Sequence, residues 1–212
     1  MKKRNDRFNT FSVSLGLLDY INPILYTITI VTIIRNIALL PPYHTILLIG
    51  GILSIFFGFI IPTGKVIVGL GIIKFKMPVI LVFCVNTGIF LSGFMLFKYI
   101  FDIPLFLLII IAFLLVLLLF VMYMKNKKMN TIAVLIGAFG YFMLYISLIN
   151  LSIIYHYILP IILYGLAIFL FIMLCIIGIK ANLKNPKVHW VIEISNIICQ
   201  FLVAISTILL FH

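Results

Sequence analysis

The sequence predicts an all-α, polytopic membrane protein: a bundle of seven transmembrane helices, N-terminus cytosolic and C-terminus extracytosolic. Three observations predict it. Of 212 residues, 66% are hydrophobic and 9% charged, where a soluble domain has about 45–50% and about 25%. Uncharged apolar runs recur along the chain, several near the roughly 20 residues that cross a hydrocarbon core of about 30 Å. Lysine and arginine fall mainly in alternate connections, as the positive-inside rule requires.

The elements follow in chain order as one transmembrane domain over 1–212. Residues 1–18 read as a basic cytosolic tail carrying Lys2, Lys3, Arg4 and Arg7. No small-residue cleavage site follows it, so the next apolar run reads as a retained first span, about 19–40. Pro41 and Pro42 end that span, because proline lacks the N–H donor and restricts the residue before it. The second span covers about 44–62, the third 77–98 and the fourth 103–124, which is opened by Pro104. From Met129 to Ile179 there is no charge at all, which suits two crossings, 130–150 and 156–179. Their break falls at the polar cluster before Pro160. The seventh span is 188–211.

Thirteen of the fifteen basic residues lie on one side of this scheme: the tail, then Lys65, Lys74 and Lys76, then Lys125, Lys127 and Lys128, then Lys180, Lys184 and Lys187. Lys98 and Arg35 fall on the other. The formal net charge of +11 is therefore chiefly topogenic, with attraction to anionic lipid headgroups near the cytosolic basic loops and no nucleic-acid partner. A homo-oligomer or a membrane partner subunit stays open. Short connections and Ile/Lys/Asn-rich usage suggest a bacterial plasma membrane. Gly64–Lys76 fits none of the spans: it extends the second helix, lies in the interface or re-enters the bilayer.

Gly50, Ser54 and Gly58, spaced by four, form a packing stripe on the second span, and Ala133 and Gly137 open another on the fifth. Cys84, Cys175 and Cys199 lack metal-ligand spacing, so no disulfide framework, metal site or cofactor is expected. His44, His156 and His212 fall outside and His189 inside.

The seventh span carries the most informative pattern. His189, Glu193, Asn196, Gln200 and Thr207 project within an arc of about 60° at 100° per residue. A charge inside a span is costly and turns toward the bundle or toward water. The first span has a broader polar face with Asp19, Asn22 and Tyr26, where Asp19 also reads as a helix cap. Matched by depth, these residues group with Asn86 on the third span and Tyr141 on the fifth. They predict a polar cavity between spans one, three, five and seven, open to the cytosol, with Glu193 as its principal charge. Arg35 lies off that face and reads as snorkelling to outer headgroups or pairing with Asp102.

None of the common hydrolase, P-loop or dinucleotide motifs occurs. The reading is therefore a transporter- or channel-like protein for a small solute or ion, with enzymatic activity not favoured. The alternatives are a membrane enzyme acting on a lipid or prenyl-phosphate from the cytosolic face, with Asp19, His189 and Glu193 as candidates, and a non-catalytic accessory subunit.

Overall fold

The computed structural model describes residues 12–38, 42–72, 79–104, 107, 129–180 and 186–212. Most of the expected fourth span (103–124), most of the basic tail and Lys74, Lys76, Lys125, Lys127, Lys128 and Lys184 lie outside them. The described residues are helical, with six segments of 20–27 residues long and apolar enough to cross a membrane. The chain is thus a multi-pass, membrane-type helical protein.

The first crossing is made of two helices, α1 (Val13–Asp19) and α2 (Ile21–Asn36). It begins earlier than the expected residue 19, because Ser12 caps it: the Ser12 hydroxyl accepts from the Leu15 N–H at 3.2 Å. Helix α1 gives way to α2 at Tyr20 for a reason visible in the sequence. Pro23 has no N–H to donate to the Asp19 carbonyl, four residues back, and its ring crowds that position. Asp19 caps neither helix, contrary to expectation; its side chain bonds elsewhere. The second crossing, α3 (Tyr43–Gly69), is 27 residues, about 40 Å at 1.5 Å per residue. It runs straight through Pro62 and absorbs residues 64–69, so this part of the ambiguous segment extends the second helix. Residues 73–76 lie outside the described part. Helices α4 (Val79–Phe101), α5 (Met129–Ile154), α6 (Ile158–Lys180) and α7 (Pro186–Phe211) follow. Pro186 opens α7, where a missing N–H costs nothing.

Packing neighbours form a closed cycle, α2–α3–α4–α5–α6–α7 and back to α2, with α1 against α3. The tightest seams are made by small residues. A methyl at Gly50 would lie 2.7 Å from the Gly88 carbonyl oxygen, and one at Gly88 would lie 2.6 Å from the Ser54 nitrogen. Without Cβ atoms the α3 and α4 backbones come close enough for dispersion contacts, the principal cohesion available in lipid. Pairs 50–88 and 54–88, with the Tyr43–Tyr99 ring contact beyond them, make α3 and α4 antiparallel. At the α4–α5 seam, Asn86 meets Gly137, while Phe90 and Gly93 meet Gly140. Residue numbers rise together here, so α4 and α5 run in the same direction.

Large apolar side chains point outward, as in Phe56, Ile158 and Phe169, which is the surface expected against lipid. On α7, Val191, Ile194, Ile198 and Phe201 are exposed while Gln200, Val203 and Thr207 are buried, so the polar stripe faces inward. A contiguous core of Ile33, Leu47, Leu96, Leu148, Tyr164 and Leu210 fills the half of the bundle nearer Tyr43. Tyr164 and Thr207 join α6 to α7 through a 2.9 Å hydrogen bond inside it.

Candidate functional site

The opposite half is polar. Lys65 lies in α3 about one turn before its end at Gly69, and its Nζ lies 2.7 Å from Asp19 Oδ2 and 3.1 Å from Glu193 Oε1. The three side chains are 11%, 13% and 14% exposed respectively. They belong to three separate crossings. Asn22 completes the group, its Nδ2 donating to Asp19 Oδ1 at 3.2 Å and to Glu193 Oε2 at 3.4 Å. Charges in a spanning segment are tolerated when paired and turned inward, and this cluster ties α1, α2, α3 and α7 together at one level.

Beside the cluster lies a cavity of about 220 Å³. The first crossing lines it with Asp19, Asn22, Pro23 and Tyr26. Helix α3 adds Ser54, Gly58 and Ile61, and α4 adds Val85, Asn86 and Ile89. Tyr141 of α5 and Asn196 of α7 close the wall. Tyr26 and Tyr141 meet edge-to-face at 6.1 Å and Tyr141 packs on Tyr145 and Phe171, forming an aromatic layer that leads into the apolar core.

The structure brings together most of the residues singled out from sequence. Asp19, Asn22, Tyr26, Asn86, Tyr141 and Asn196 line one cavity, and Glu193 joins it through Asn22. Gln200 is buried one turn beyond Asn196, beside the Tyr141 hydroxyl. His189 is half-buried, one turn before Glu193, and is not part of the cavity wall. Two expectations are corrected. The second span, assigned only a packing stripe, contributes cavity wall through Ser54 and Gly58 while Gly50 does the packing. Lys65, assigned to a basic connection, is the cation of the cluster. A signal for it was present: Ser54, Gly58, Ile61 and Lys65 sit at offsets 0, 4, 7 and 11, one helix face.

Several polar atoms here are buried without a partner. Tyr26 is 4% exposed and its hydroxyl makes no hydrogen bond. The nearby Ser54 and Ser92 hydroxyls donate to carbonyls of their own helices, Ser54 to Gly50 and Gly51 and Ser92 to Gly88. Asn22 Oδ1 is likewise unpartnered. Asn86 donates to the Val82 carbonyl at 2.7 Å and lays its amide against Gly137, where no side chain could stand. Among the described residues, no group of three histidine, cysteine or carboxylate side chains could hold a metal ion.

Compared with known protein families, with curated proteins and with solved structures, the chain matches none.

Proposed function

We propose that this protein is a membrane carrier for a small solute or ion, with the cavity beside Asp19, Lys65 and Glu193 as its binding chamber. One observation carries the reading: charged residues from three crossings converge, largely shielded, on a polar chamber while the other half of the bundle is filled with apolar side chains. A chamber serving one side at a time is what a carrier uses, and the Ile33–Leu47–Leu96–Leu148 core is the barrier that would have to part. That core also argues for a carrier over an open channel. The chamber faces the cytosol in this reading, since it lies at the end of the bundle that holds Lys65 and Lys187, two of the basic residues assigned to that side.

The reading includes seven crossings. The common direction of α4 and α5 supports this: a crossing between Phe101 and Met129, which the sequence assigns to the uncharged run 103–124, would return the chain across the bilayer. It places the start of the chain in the cytosol and residue 212 outside, in a plasma membrane. An enzyme acting on a lipid phosphate at this face would need a cation available for the phosphate; Lys65 is instead engaged by two carboxylates, which favours the carrier.

The test is movement of the barrier. Leu96 is fully buried in the apolar half. In a background with Cys84, Cys175 and Cys199 replaced, Leu96→Cys should react slowly with a membrane-impermeant thiol reagent added outside. Complete protection over hours, in protein that is folded and correctly inserted, would remove the carrier reading.

A further inference from the structure

The ionisable groups of the cluster do not balance. With both carboxylates ionised, they outnumber the one ammonium by a single negative charge, held where side chains are only 11–14% exposed. Lys65 sits between the carboxylates and Asn22 donates to both, so each of the four carboxylate oxygens already accepts from one of these two side chains. On the cavity side, two further oxygens beside the Asp19 carboxylate have no partner. Asp19 lines the cavity, Asn22 Oδ1 is a buried acceptor without a partner, and so is the Tyr26 hydroxyl, on a residue more than nine-tenths buried. The Asp19 carbonyl is deprived of the donor that Pro23 lacks, at the point where the first crossing changes from α1 to α2. Breaks of this kind in spanning helices turn backbone carbonyls toward bound alkali ions. Oxygen donors of carboxylate, amide and hydroxyl type suit hard cations and give softer metals no thiolate or imidazole.

Resting on the carrier reading, we infer that the cavity beside Asp19 binds a monovalent alkali cation, held by Asp19, Asn22 Oδ1 and Tyr26. The charge count selects the valence. One monovalent ion neutralises the cluster, whereas a divalent ion would leave an excess of the opposite sign in the same shielded place. The 220 Å³ chamber leaves room for part of the ion's hydration, water taking about 30 Å³ each in the liquid.

The inference is tested on purified full-length protein with 22Na+ and 86Rb+ in scintillation-proximity binding, choline replacing the ion at constant ionic strength. The wild type should bind one of the two saturably. Glu193→Gln, which leaves a neutral Asp19–Lys65 pair, should weaken binding by about tenfold or more, the factor that about 1.4 kcal/mol supplies. Asp19→Asn removes the same charge from the other side of Lys65, together with a ligand, and should weaken it at least as much. Lys65→Gln/Glu193→Gln restores a single surplus charge at Asp19 and should recover binding, which a merely structural role of Glu193 would not produce. Absence of saturable binding of either ion, undiminished binding in the folded neutral variants, or stronger competition by Mg2+ or Ca2+ overturns it. Cation binding without outward reactivity at Leu96→Cys would keep this site and remove the carrier. Outward reactivity without cation binding would do the reverse.

Discussion

Removing the cation of the cluster is the perturbation whose cost the structure defines best. Lys65→Met keeps the length and the apolar stem of the side chain and deletes its charge. At an effective dielectric near 20, contacts of 2.7 and 3.1 Å correspond to gross attractions of about 5–6 kcal/mol each. Most of that is offset by the desolvation of the three groups, so the gross figures are not the effect to expect. The relevant quantity is the cost of stranding the partners: breaking a buried pair costs about 3–5 kcal/mol, and here two carboxylates are left facing each other with Asn22 as their shared donor. Lys65→Met should therefore lose about 3–5 kcal/mol, read as a lower melting temperature in detergent and a lower midpoint in mixed-micelle unfolding. The triple variant Lys65→Met/Asp19→Asn/Glu193→Gln removes all three charges and should recover most of the loss. A Lys65→Met protein within about 0.5 kcal/mol of wild type, the range of an ordinary surface change, would refute the view that the three charges act as one buried unit.

Two other predictions concern the frame around the site. A methyl at Gly140 would lie 2.5 Å from the Phe90 Cα, backbone that cannot swing aside, so Gly140→Ala should lose about 1–3 kcal/mol. Gly165→Ala, with nothing within 4 Å, should be neutral or gain up to about 1 kcal/mol from helix propensity; the two melting temperatures check both. Cysteines introduced at Asn126 and Tyr155 should label from the cytosolic and the outer side respectively, and the reversed pattern would overturn the orientation.

Much of the fold was legible because charge is so scarce in this chain. Where no charged residue interrupts about 20 apolar ones, a crossing is the only economical conformation, and α3 to α7 were placed that way. The polar stripe of α7 was legible for a related reason: Glu193 is a carboxylate that neither a tail, a loop nor a cap explained. Lys65 escaped because a lysine after Pro62, on the basic side, has an adequate topogenic explanation, and only the continuation of α3 through that proline turns it inward. Asp19 was mistaken for a cap because the true cap, Ser12, lies within a stretch that reads as tail. Its partnership with a residue 46 positions away on another helix leaves no local trace in sequence. The direction of α4 relative to α5 is also a product of packing, set where Gly93 and Gly140 let the two backbones touch.

The central claim is that the polar chamber is open to water at the Glu193 end. In the cysteine-substituted background, Asn196→Cys is the direct reporter, since it lies in the chamber wall and not on the lipid-facing side of α7. A charged, membrane-impermeant thiol reagent should modify it rapidly in inside-out vesicles and little in right-side-out ones. Protection in both orientations, with the introduced thiol reactive after unfolding, would contradict the claim and leave the cluster as a structural tie between helices.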